Sequence, residues 1–207
     1  MTAREFSALG KRLLPRLPGF AAKGQMLFIR PVGHTLRGIF FDRSINSRAF
    51  YVQIFIQPLF VPAEHIEFNV GWRLGGDCHV WNADAPGLLS ELDTALKQEA
   101  LPFLANIQSP RDTASAAKSL QKSKDPYVQQ AIAYGFARGG DVGQAIAALA
   151  QLVRMFNVQE QYPWQQEMAE RAQALAAELR DNPLGARARL EAWEAETAKK
   201  LVLEKFD

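Results

Sequence analysis

Cys78 and His79 stand side by side, Asp77 precedes them, and His65 lies a short way upstream. This is the chain's one grouping of His, Cys and Asp residues. Thiolate, imidazole and carboxylate are the usual donors to zinc, so His65, Asp77, Cys78 and His79 are candidate metal ligands. Their spacing matches no standard zinc signature. A plainer reading makes Cys78 a small buried hydrophobe and puts His65 on the wetted face of a strand. A thiolate nucleophile at Cys78 needs a neighbouring base. Adjacent residues on a strand point to opposite faces, so His79 is badly placed for that task. Ser44 and Ser47, between Arg43 and Arg48, form a loop that can hold an anion, though a solvated loop explains them more simply. Gly139-Gly140-Asp141 reads as a helix-end turn and not a phosphate cradle. No catalytic residue is assigned, and no metal or cofactor is expected. An enzyme or metal-binding protein using region 65–79 stays open as an alternative.

The second chemistry is recognition. Arg37, Arg43, Arg48 and Arg73 fall in or beside strand-like segments that also carry Tyr51, Gln53, Phe55 and Gln57. Basic and aromatic side chains on one sheet face suit an acidic protein surface, or stack single-stranded bases. These eight residues are the candidate binding site. Neither signature of the RNA-recognition fold is present, so a protein partner, acidic in character, is preferred. A low-specificity nucleic-acid binder is the alternative.

The positioning elements are readable from period and punctuation. Residues 2–14 form an amphipathic helix, with Thr2 as cap and Glu5 three residues on. Pro15, Pro18 and Gly19 stop it, and Leu17-Pro18-Gly19-Phe20 is a turn. Four strands follow: Gln25–Val32, Thr35–Asp42, Arg48–Leu59 and the alternating run His65–Leu74. Cys78–Trp81 is a candidate for one further short strand. The third strand separates Phe50, Val52, Ile54 and Ile56 from Tyr51, Gln53, Phe55 and Gln57. The helix at 2–14, the helix after Ala85, or both should cover the apolar face. On the other face, Ile39 and Phe41 are expected to join Tyr51, Phe55, Arg37, Arg43, Gln53 and Gln57. That face is the binding site if open; if a C-terminal helix covers it, function lies elsewhere.

From Ala85 the pattern becomes helical. One helix runs from Pro86 to about residue 107, and a second starts at Ser109-Pro110. Residues 127–138 and Val142–Phe156 form a helical hairpin about Gly139-Gly140-Asp141. Two further helices start at Pro163 and after Asn182-Pro183. The last, a charged surface helix, runs through Trp193 to the C-terminus. The fold class is therefore α+β: an N-terminal helix and an antiparallel β-meander of about four strands, followed by an all-helical region. The division is 1–108 for the sheet domain and 109–207 for the helical region.

Composition agrees with a folded chain. Of 207 residues, 48% are apolar and 22% charged, which is ordinary globular usage. The lone cysteine rules out an internal disulfide. No apolar run reaches membrane-spanning length, and the N-terminus is not a signal peptide, so cytoplasm is the expectation. Residues 1–48 hold nine Lys/Arg against two acids, while the rest is net acidic. The basic end can steer an acidic partner or complement the other half of the molecule.

Two stretches carry resemblances. The order helix, Leu-Pro-Gly-Phe20, Lys23-Gly24, hairpin, long strand and Trp72-Arg73-Leu74 resembles the bacterial domain-of-unknown-function 4304 family over residues 5–105. Members of that family often sit near polymorphic-toxin systems, so the resemblance implies an immunity-type or other binding role and supplies no catalytic residue. Ala133-Tyr134, Arg138-Gly-Gly-Asp141 and Ala145 are similar to the turn of a tetratricopeptide helix pair. There is one such unit, where repeat arrays need about three. A non-enzymatic bacterial cytoplasmic binding protein is the function these readings favour.

Overall fold

The computed structural model describes residues 1–156 and 162–203. Its first element is α1 (Ala3–Leu13), started by a reciprocal cap. Thr2 Oγ1 accepts from the Glu5 amide, and the Glu5 carboxylate accepts from the Thr2 amide. Phe6, Leu9 and Leu13 then fall on one buried side. Pro15 ends the helix in a short 3-10 turn, Leu14–Arg16.

The sheet is antiparallel throughout and has six strands. They are β1 (Phe20–Lys23), β2 (Met26–Ile29), β3 (Thr35–Arg43), β4 (Ala49–Pro58), β5 (Gly71–Arg73) and β6 (Trp81–Asn82). They lie in the order β1-β2-β3-β4-β5, with β6 beside β4 as well. The four-strand expectation missed β1, because Gly19 turns the chain with φ +83° straight into a strand at Phe20. The expected strand 65–74 shrinks to three residues. Upstream of Val70, the Gln57 side chain takes the place of a ladder, bonding to the His65 carbonyl (3.2 Å) and the Glu67 amide (3.1 Å).

Both expected helical covers are used on the first sheet face. Leu27, Ile39, Phe41, Phe50, Val52, Ile54 and Ile56 pack against α1 and against Leu92, Leu96, Ala100 and Leu104. Phe6 stacks over Phe41 at 6.1 Å and meets Phe50 edge-on at 5.8 Å. Each such buried aromatic contributes about 1.5–3 kcal/mol relative to exposure. The expected helix 86–107 is broken into α2 (Leu88–Ala95), a π-helical stretch Leu96–Ala100 and α3 (Leu101–Ala105). Pro102 has no N–H to give to the preceding turn, and the widened turn absorbs the loss.

The remaining helices are α4 (Pro110–Ser119), α5 (Pro126–Arg138), α6 (Val142–Met155), α7 (Pro163–Asp181) and α8 (Pro183–Lys200). Ser109, Asp125 and Asn182 each cap a helix whose next residue is proline. Gly135 lets α5 approach α4: a Cβ there would meet the Pro110 carbonyl at 2.8 Å and Ala114 at 2.9 Å. Helices α5, α6, α7 and α8 share a core of Tyr134, Leu149, Leu152, Leu175, Leu179 and Leu190, into which Phe60 also reaches.

The second sheet face is covered too. Met26, Phe28, Leu36, Phe55 and Leu59 pack with Ile66, Phe68, Leu201 and Leu203. The Lys23 ammonium donates to the Leu201 carbonyl at 2.8 Å. The last helix stops at Lys200, where Val202 takes φ +55°, and the following residues fold back onto the sheet. It is thus only partly a surface helix, since Ala186, Leu190 and Thr197 are buried. The expected continuation through residues 204–207 lies outside the described residues. Among the described residues, no helix is long and apolar enough to cross a membrane.

Candidate functional site

Strand register decides what becomes of the expected binding face. Arg37, Ile39, Phe41 and Arg43 stand opposite Ile56, Ile54, Val52 and Phe50. Tyr51, Gln53, Phe55 and Gln57 stand opposite Asp42, Phe40, Gly38 and Leu36. Directly opposed residues share a face, so Arg37 and Arg43 lie on the face away from Tyr51 and Phe55. The eight residues therefore do not form one surface. Arg37 and Gln57 are buried, and Phe55 is wholly so. Phe55 lies over Gly38 and meets Phe68 edge-on at 4.9 Å. Arg43 is exposed at the end of β3.

Arg48 is exposed and ties down the N-terminal helix. Its guanidinium reaches the carboxylates of Asp84 and Glu5, the latter at 2.9 Å. The Thr2 amide, and then Arg48, hold the Glu5 carboxyl at about 2. What remains half-open on the second face is a short strip. The Arg73 guanidinium lies 3.9 Å from the centre of the Tyr51 ring, with Gln53 beside it. A cation over an aromatic face is stabilised at this range.

Region 65–79 does not assemble into a metal site. Cys78 is exposed, which corrects the expectation of a buried hydrophobe. The segment Gly75–Val80 is a loop and not a strand, so nothing folds its polar side chains inward. The His79 ring packs edge-on against Trp81 at 4.6 Å, and the Arg73 guanidinium takes the Asp77 carbonyl. His65 is exposed on the separate segment before β5. Among the described residues, no three His, Cys, Asp or Glu side chains converge as metal ligands.

Glu67 is the half-buried acid of this region. It lines a small cavity with Gln57, Tyr127 and Gln130. Burial pushes its carboxyl above the usual range, against the opposing pull of His65 and Arg171. Burial and the Glu67 charge likewise push the Tyr127 phenol up. An acid whose pKa is raised on folding costs stability as pH rises from its unfolded value through its folded value, and costs nothing below both. Glu67→Gln is therefore expected to raise the urea midpoint at pH 7 and to leave it unchanged at about pH 4, near the unfolded pKa. A variant no more stable than the parent at pH 7 would show that the carboxylate is adequately solvated.

An open concavity lies elsewhere, across α4, α5 and α6. It encloses about 430 Å³, within the ordinary range of ligand sites, about 300–1,000 Å³. Its floor includes Val128, Ile132, Phe136 and Ala148, and its rim carries Lys118, Lys122 and Arg154. Gln121, Gln144 and Gln151 add amides, and among the described residues no Asp or Glu lines it. Lys122 also donates to the Gly71 carbonyl at 2.6 Å, which fixes one wall to the sheet edge. Among the described residues, Lys118 and Arg154 have no carboxylate partner. Lys118 and Lys122 are not among the candidate residues read from the sequence. The available signal was the pairing of those lysines with alanine-rich helix faces, since small side chains leave room between helices. No protein-family model, curated protein or solved structure matches the chain.

Proposed function

We propose that the chain is a non-enzymatic binding protein of the bacterial cytoplasm, of the toxin-immunity type, and that it holds an acidic protein segment in the α4–α6 groove. The observation that carries this reading is the groove itself: an apolar floor, a rim of three cations and, among the described residues, no acid in the lining. Such a surface favours an amphipathic segment that sets apolar side chains on the floor and carboxylates on the rim. The resemblance of residues 5–105 to a family found near toxin systems supports the immunity part. Burial of Arg37 and Phe55 withdraws support from base stacking on the sheet.

A synthetic helical peptide with leucines on one side and glutamates on the other is the direct probe. It should bind saturably, and binding should weaken with salt. Lys118→Glu combined with Arg154→Glu should lower affinity at least about tenfold. Both side chains are exposed, so the fold should be kept. Equal binding of a lysine-substituted twin peptide, or an affinity unmoved by the double variant, would sink the reading. Displacement of the peptide by single-stranded nucleic acid would favour the alternative partner class. Co-expression with a toxin encoded beside the gene tests the immunity role, and unrelieved toxicity counts against it.

A further inference from the structure

Arg37 is a buried cation with no carboxylate partner among the described residues. It is 7% exposed, and arginine is almost never so buried unless paired. Nη1 donates to the carbonyls of Leu104 (3.3 Å) and Ile107, at and just beyond the end of α3. Those carbonyls satisfy one nitrogen and offset part of the charge, but neither carries a full negative charge. Among the described residues, Nε and Nη2 have no acceptor and no carboxylate pairs with Arg37.

The guanidinium lines a cavity of about 180 Å³ between the start of β3 and the loop before α4. Gly33, His34, Thr35, Gln108 and Ser109 line it as well. The nearby acids are engaged elsewhere. Asp112 accepts from the Gln108 and Ser109 amides and the Ser109 hydroxyl, at 2.8–3.1 Å. Glu194 takes His34 at 2.7 Å and Arg138 at 3.0 Å. Burial lowers the pKa of Arg37 from its ordinary value, yet a guanidinium stays protonated in proteins.

We propose that this cavity binds a small oxyanion, a carboxylate or a phosphate, on the unused Nε/Nη2 edge of Arg37. That edge presents parallel N–H donors with the spacing of two carboxylate or phosphate oxygens. The cavity is smaller than the usual site for a drug-sized ligand, about 300–1,000 Å³, which restricts the guest to a small anion. The proposal is independent of the α4–α6 groove, since the two sites share no lining residue.

Calorimetric titration of the whole chain with inorganic phosphate and with acetate, at an ionic strength held constant with chloride, tests it. Saturable binding of either anion is expected, absent in Arg37→Met. Gln108 is exposed, so Gln108→Glu should fold normally while placing a repelling carboxylate in the lining. It should weaken binding at least about tenfold. Heats no different from those of a chloride titration would overturn the assignment, as would wild-type affinity in Gln108→Glu. Should Arg37→Met not fold, the Gln108→Glu comparison alone decides.

Discussion

Replacing Gly71 by alanine is expected to cost at least about 3 kcal/mol of stability, an unusually large effect for one added methyl group. Backbone twist is not the reason. A Cβ at this position would sit 1.9 Å from the Ile54 carbonyl oxygen and 3.0 Å from the Phe55 Cα. Both are backbone atoms of β4, so no side chain can move aside. Relief requires β5 to lift from the edge. That would uncouple Trp72, which packs edge-on against Phe103 at 4.6 Å, and expose the buried Leu74. Lys122 also grips the Gly71 carbonyl, so the disturbance should reach the rim of the groove. Urea denaturation followed by tryptophan fluorescence gives the measurement. A Gly71→Ala midpoint matching the parent would mean that the edge strand yields at no cost.

Phe55→Ala should lose about 3–5 kcal/mol, the usual range for a buried phenylalanine cut to alanine. Its ring fills the space left by Gly38 and meets Phe68 edge-on. Arg43→Ala, on the exposed end of β3, should stay within about 0.5 kcal/mol. The pair separates two roles that the sequence assigned to one surface. A Phe55→Ala protein of parental stability would restore Phe55 as a recognition residue.

Local chemistry made the helix starts legible. Thr2 with Glu5, Ser109-Pro110 and Asn182-Pro183 each place a cap and a first-turn residue within a few positions. Alternation within β4 was equally clear. The relation between β3 and β4 was not, because a one-residue change of register flips every side chain to the opposite face. Arg37 and Arg43 were grouped with Tyr51 and Phe55 on that account. The run from Ile66 to Leu74 misled in another way. Its even-numbered residues are all at least partly buried, but Ile66 and Phe68 pack on the second-face core while Val70, Trp72 and Leu74 enter or pack on the first. The α4–α6 groove and the Arg37 cavity arise between elements distant in the chain, so no local pattern announces them.

Closure of the second sheet face by Leu201 and Leu203 has a consequence for biosynthesis. The Lys23–Leu201 contact joins residues 178 positions apart. Until the ribosome has released that segment, Met26, Phe28 and Phe55 lack part of their cover. The nascent sheet then presents an apolar surface for most of its translation time, open to chaperones and to other unfinished chains. Closing so long a loop carries an entropic cost that the seam's own contacts must repay.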